Sequence, residues 1–84
     1  MRIIGTIPHK AYKISVFSWA EKYTVKIEAG PLEQSFRFPQ GAYERWEELI
    51  PLFDEVMMEE VRQTFFKMSA GLQAAIARQA SNQS

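Results

Sequence analysis

Apolar and polar residues alternate with a period of two in three short runs between residues 12 and 38. Such alternation is typical of β-strands that bury one face and expose the other. The runs therefore predict three consecutive strands. Their repeating apolar positions are Tyr12, Ile14, Val16, Tyr23, Val25, Ile27, Phe36 and Phe38.

The breaks between these runs predict the register of an antiparallel meander. A loop of two or four residues centred on Ala20-Glu21 places Val16 opposite Val25, and a turn at Gly30-Pro31 places Val25 opposite Phe36. Both hairpins then carry their apolar side chains on the same face. A slip of one residue would divide these side chains between two faces, so the register is well specified.

After residue 41 the apolar spacing changes to three, four or five residues, which is typical of helices. Pro51 clashes with the preceding turn inside a helix, so we split this half into a short helix over 42–50 and a long helix over 51–79. Most apolar positions of the long helix fall within an arc of about 140°. Phe66 lies off this arc, and Met58 lies partly off it. The positions are Phe53, Val56, Met57, Val61, Phe65, Met68, Leu72 and Ile76.

The predicted fold class is α+β: an antiparallel meander of three to four strands packed on a long C-terminal amphipathic helix. The apolar run over 3–7 is the expected fourth strand, at an edge whose neighbour the pattern leaves open. We expect a single domain over 1–80, with the sheet in 1–39, the helices in 42–80, and a frayed tail at 81–84.

The predicted long helix is longer than the sheet it covers. A helix of about 28 residues extends about 42 Å, whereas strands of about seven residues extend only about 23 Å. The apolar positions beyond the sheet need another partner, and a second copy of the chain is the simplest one. The alternative is a kink at Ala70-Gly71 that folds the last turns back. The candidate dimer interface is Phe65, Phe66, Met68, Leu72 and Ile76.

Composition excludes several classes of protein. The 84 residues include no cysteine, which excludes disulfides, thiolate metal sites and cysteine nucleophiles. A domain this small without disulfides is expected in a reducing compartment, and we expect the cytoplasm. The N-terminus becomes polar too early for a signal peptide, and no apolar run reaches the length of a membrane span.

The residues needed for catalysis are scarce. The sequence has one histidine, His9, and one aspartate, Asp54. We expect His9, beside Pro8, to be a solvated turn residue. The glycines form no phosphate-binding loop, and no pair of metal ligands has the spacing of a metal site. The carboxylate pairs of the helical half are expected on a solvated helix face. We therefore expect no enzymatic activity, no cofactor and no metal.

The sheet half has six basic and three acidic groups (net +3), and residues 40–84 have four basic and seven acidic groups (net −3). Cations and aromatic rings share the predicted solvent face of the sheet, an arrangement that suits single-stranded nucleic acid. We call this set the platform. The alternatives are that the rings are covered, or that Lys13 and Glu28 form a cross-strand ion pair. The platform consists of Lys13, Phe17, Trp19, Lys22, Lys26 and Arg37.

These observations favour a non-enzymatic, self-associating interaction module. We expect a homodimer, with a further protein partner that the sequence does not specify. The alternative is a dimer that binds single-stranded nucleic acid through the platform. An enzyme or a ligand pocket between sheet and helix is the weakest of the three hypotheses, because the sequence has no catalytic constellation.

Overall fold

The computed structural model describes residues 1–82. Four strands form one antiparallel sheet in the order β1-β2-β3-β4, followed by two 3₁₀ helices and one α-helix. This α+β arrangement confirms the predicted fold class. The strands are β1 (Arg2–Ile7), β2 (Lys13–Trp19), β3 (Lys22–Ala29) and β4 (Leu32–Pro39), the 3₁₀ helices are Gln40–Ala42 and Trp46–Leu52, and the α-helix α1 is Glu55–Asn82.

The register of both predicted hairpins is confirmed. Val16 pairs with Val25, and Val25 pairs with Phe36. The first turn has two residues, Ala20 and Glu21, with φ values of 52° and 61°. Positive φ at both central positions is the signature of a type I′ turn, whose twist matches that of the flanking strands. The sequence does not reveal this conformation, because neither residue is one that favours positive φ.

Strand β1 pairs with β2, so the N-terminal run lies at one edge of the sheet. The register shifts between Ile3 and Gly5, which is the mark of a β-bulge. Gly5 faces α1, on the side of the sheet that we call the inner face, and the indole of Trp46 packs directly on it. A glycine is required there because a methyl group would overlap the ring.

A short helix precedes α1 as predicted, but the predicted bounds 42–50 are wrong, because the helix begins at Trp46 and is of the 3₁₀ type. Residues 43–45 contain extended backbone, with φ and ψ of −136° and 120° at Tyr43 and −137° and 144° at Arg45. The chain then forms the 3₁₀ helix Trp46–Leu52, which includes Pro51. The residue before a proline disfavours the α conformation, and the proline ring clashes with the preceding α-helical turn. The tighter 3₁₀ form therefore replaces an α-helix here.

The predicted start of the long helix at residue 51 is also wrong. Helix α1 begins at Glu55, because the Asp54 carboxylate accepts a hydrogen bond from the Met57 backbone N–H at 2.9 Å. This is the N-cap geometry that an aspartate favours. The helix continues to Asn82, beyond the predicted end at 79, so Ser81 and Asn82 of the expected tail are helical. Residues 83 and 84 of that tail lie outside the described residues.

The core lies between the inner face of the sheet and one side of α1, with the second 3₁₀ helix closing one end. Two positions differ from the predicted stripe: Met58, predicted partly off it, is buried, and Val56, predicted on it, is 75% exposed. The helix begins later than predicted. The side of the helix that faces the sheet is the one that carries the buried residues Met58, Val61 and Phe65. Gln34 of β4 donates a hydrogen bond to the Val61 carbonyl at 3.0 Å, which fixes helix to sheet. The buried core is Ile7, Ile14, Val16, Val25, Ile27, Leu49, Phe53, Met58, Val61 and Phe65.

The molecule is elongated, because α1 extends beyond the sheet. Its extents are 56 × 28 × 18 Å and its radius of gyration is 15.9 Å, whereas a compact domain of this length has a radius of about 12 Å. The helix is continuous through Ala70 and Gly71, so the alternative in which the last turns fold back is wrong. As predicted, the helix is longer than the sheet and projects beyond its end.

Candidate functional site

The apolar stripe of α1 leaves the sheet between Phe65 and Leu72. Phe65, a predicted interface residue, is only 6% exposed and packs against Tyr12 with ring centroids 5.4 Å apart. It therefore belongs to the core of its own chain, because Tyr12, in the loop before β2, covers its ring. Met68 is partly buried, while Leu72 and Ile76 are 44% and 53% exposed.

Phe66 is 73% exposed and lies beside the stripe rather than on it. Together with Leu72 it borders a shallow groove between the helix and the turn that joins β3 to β4. Large exposed apolar side chains that cluster in this way usually mark an interaction surface. The apolar part of the groove's lining includes Tyr12, Ala29, Leu32, Phe65, Phe66 and Leu72, and Arg62, Ser69 and Gln73 add polar groups along the helix.

We call residues 68–82 the distal segment. Of the predicted interface residues, the structure places Met68, Leu72 and Ile76 on one side of this segment, with Phe66 at its base. No acidic residue occurs in α1 after Glu60, so the distal segment and the turns before it carry only basic charges. The acidic charges of α1 are confined to its first two turns.

The first turns of α1 contain a bidentate surface ion pair. Arg62 donates hydrogen bonds to both carboxylate oxygens of Glu59, from Nε at 2.9 Å and from Nη2 at 2.7 Å. The Gln63 amide adds a bond at 3.3 Å. These donors stabilise the charged carboxylate, chiefly through Arg62, and lower the pKa of Glu59 from 4.5 to about 2.

This pair predicts a specific pH dependence. The pKa of Glu59 is lower in the folded protein, so its contribution to stability is present above pH 4.5 and is lost as the pH falls towards 2. The effect is small because the pair is exposed. Urea titrations of wild type and Glu59→Gln should show a difference in unfolding free energy that narrows over this range. Glu60→Gln is the control, and a difference that stays constant from pH 6 to pH 2 contradicts the prediction.

The face of the sheet opposite α1, the outer face, carries the platform residues, but they do not form one open surface. Trp19 is 63% exposed, whereas Phe17 is partly buried and lies under the Lys26 amine, 5.2 Å from its ring centroid. Lys26 also lies 3.8 Å from Glu33. One stacking ring and one cation of the platform are therefore already engaged within the chain.

Part of the outer face is buried even without a partner. Ser15 and Thr24 are both buried, because their small side chains lie between longer ones on neighbouring strands. The question that the sequence left open, whether this face is exposed or covered, therefore has different answers at its centre, which is buried, and at Trp19, which is exposed. Lys13 and Glu28 occupy paired positions in the register, but the ion pairs formed within residues 1–82 do not include them.

Charges on the outer face are separated along the strands. Glu28 and Glu33 pair with each other in the register near the Gly30 turn, while Trp19 pairs with Lys22 at the opposite end. Lys22 and Glu28 are six positions apart in β3, a distance of about 20 Å. Glu28 and Glu33 therefore lie too far away to weaken the positive charge of Lys22 at the Trp19 end.

His9 is a partly buried loop residue rather than a freely solvated one. Its Nδ1 accepts hydrogen bonds from the backbone N–H groups of Ala11 and Tyr12, at 3.0 and 3.3 Å. Its ring stacks on Tyr12 with centroids 5.0 Å apart. These contacts order the loop between β1 and β2, which borders an open cavity that also includes Asp54 and Arg62.

The cavity has no recognisable catalytic arrangement. Its single histidine uses Nδ1 to hold the loop, and its Asp54 carboxylate caps α1. No group of three or more His, Asp or Glu side chains that could hold a metal ion is found among residues 1–82. Across the same part of the chain, no helix combines the length and apolar character needed to cross a membrane.

No protein-family model, curated protein or solved structure matches this chain. Its function is therefore argued from two surfaces, the distal segment of α1 and the Trp19 end of the outer sheet face.

Proposed function

We propose that this protein is a non-enzymatic, self-associating interaction module, and that its first partner is a second copy of the chain. The observation that carries the proposal is the continuous helix α1, whose apolar stripe passes from the core at Phe65 to the exposed Leu72 and Ile76.

The energetics of the distal segment support this proposal. An isolated helix shorter than about 12–15 residues is marginal in water, and the distal segment has about that length. Without packing, its last turns would gain little from remaining helical. Burial of a leucine or isoleucine side chain contributes about 1.5–3 kcal/mol, so covering Leu72 and Ile76 stabilises both the helix and the assembly.

A second copy fits the distal segment by symmetry. In an antiparallel two-fold pair, the same stripe residues of both chains face each other around Leu72, and the interface is complementary to itself. The helix dipoles then oppose each other, which is the favourable orientation. The groove beside Phe66 and Leu32 lies next to this contact and provides further apolar surface for the partner's helix end.

The dimer is tested by light scattering after size-exclusion chromatography at micromolar concentration. We expect about twice the 9.7 kDa mass of the chain. The double variant Leu72→Glu, Ile76→Glu places two charges in the contact and should raise the dissociation constant by at least about 100-fold, because burial of two side chains is lost.

The matched control is Ala74→Glu, Ala77→Glu. It adds the same charge to the same segment, but on the side of the helix away from the stripe. A wild-type mass near 9.7 kDa that does not change with concentration contradicts the proposal. Equal dissociation of the control variant would contradict the assignment of the interface to the stripe.

A further inference from the structure

A second surface, on the other side of the sheet from α1, has the chemistry of a binding site. At the Ala20-Glu21 end of the outer face, Trp19, Lys22, Thr24 and Arg37 border a shallow depression together with Met1. We call this depression the corner site. It has no acidic side chain in its lining.

The register places the corner residues within reach of one ligand. Trp19 and Lys22 are directly paired across β2 and β3, and Thr24 is paired with Arg37 across β3 and β4. Lys22 and Arg37 are therefore diagonal neighbours, and such positions lie about 7–8 Å apart. Two long cationic side chains at this separation can reach the same anionic group, while the indole lies at one side of it.

The corner side chains are not engaged elsewhere in the described part of the chain. The ion pairs within residues 1–82 include neither Lys22 nor Arg37. The Trp19 indole is mostly exposed, although burying a tryptophan would contribute a large apolar area to the core. An exposed ring beside two unpaired cations is the arrangement that recognises a base and its phosphate.

We infer that the corner site binds single-stranded nucleic acid, with one base stacked on Trp19 and an adjacent phosphate between Lys22 and Arg37. Phe17 is not a second stacking position, because Lys26 covers its ring. A duplex is a poor ligand, since its bases are stacked and paired and cannot offer a face to the indole. The inference does not depend on dimerisation, because all the corner residues come from one chain.

The test is a titration of a fluorescently labelled oligothymidylate of about ten nucleotides at several salt concentrations, followed by anisotropy. We expect binding at low salt that weakens as salt rises, because phosphate contacts release counterions. Trp19→Ala should weaken binding about 5–100-fold at every salt concentration, which is the loss of one stacked base. Circular dichroism checks that the variant is folded, and Trp19→Phe should restore part of the affinity.

Charge variants separate specific contacts from general attraction. Lys22→Gln and Arg37→Gln should each flatten the dependence of log affinity on log salt by about 0.7, the value for one phosphate of a single strand. Lys67→Gln, on α1, removes the same charge elsewhere and should leave this slope unchanged. Lys67→Gln is the control, because a general electrostatic effect would change the salt slope equally in all three variants.

Several outcomes overturn the inference. These are no binding tighter than about 100 μM at low salt, unchanged affinity in Trp19→Ala, equal slope changes in Lys67→Gln, and equal or tighter binding of a duplex of the same length. Equal competition by polyglutamate at matched charge would show that the site recognises acidic peptides instead. Trp46→Phe leaves Trp19 as the only tryptophan, and quenching of its fluorescence by the unlabelled strand locates the ligand at the indole.

Discussion

Leu49→Ala is expected to lower the free energy of unfolding by about 2–5 kcal/mol, which is the range for a leucine removed from a well-packed core. Leu49 is fully buried, and it is the buried residue of the 3₁₀ helix Trp46–Leu52. It fills the end of the core that neither the sheet nor α1 covers. The cavity left by alanine cannot collapse easily, because the rigid sheet lies on one side of it.

The matched control is the next residue, Ile50, which is exposed in the same 3₁₀ helix. Ile50→Ala should cost less than about 1 kcal/mol. Both are measured by urea unfolding at one protein concentration, because the stability of a self-associating protein depends on concentration. Equal costs at the two positions would show that this segment does not have the orientation described above.

Gly5→Ala is expected to destabilise the fold by about 1–3 kcal/mol, the usual cost of forcing extra volume into a packed site. The new methyl group would overlap the six-membered ring of the Trp46 indole, so the ring must leave the inner face or β1 must shift. A loss of stability is the opposite of the usual result, since replacing a strand glycine by alanine at an open position stabilises the fold. Thermal or urea unfolding measures the change.

Two further variants assign this cost to the indole. In a Trp46→Ala background, Gly5→Ala should cost less than about 0.5 kcal/mol, because the overlapping ring is absent. Gly71→Ala, where a methyl group meets open space within α1, should instead stabilise the protein by about 0.5–1 kcal/mol. A full cost for Gly5→Ala in the Trp46→Ala background contradicts the contact.

The two proposed surfaces differ in how far the sequence revealed them. The distal stripe follows from periodicity and from the ratio of helix length to strand length. Of its five predicted residues, Phe66, Leu72 and Ile76 are exposed, and Met68 is partly buried against the core. Phe65 is buried, because Tyr12, in the loop between β1 and β2, packs against its ring. The strand register puts the platform residues on one face, but its cations and rings are divided by contacts such as Lys26 with Phe17 and Glu33.

The boundaries of the helices show why local pattern was insufficient in the second half. Pro51 is compatible both with the first turn of an α-helix and with a 3₁₀ turn. The deciding signal was Asp54, a strong N-cap residue three positions later, which the apolar periodicity did not include. This signal is present in the sequence and identifies the start of α1 once capping is weighed against the proline.

The sequence by itself determined the strands, their register and the amphipathic helix, because these depend on local periodicity and on the parity that a buried face imposes. Only the tertiary structure decided which strand β1 joins, why Gly5 must be a glycine, and which side of α1 meets the sheet. These features depend on contacts between residues far apart in the chain, such as Trp46 on Gly5 and Gln34 on Val61. Packing between distant segments selects among arrangements that local preferences leave equally favourable.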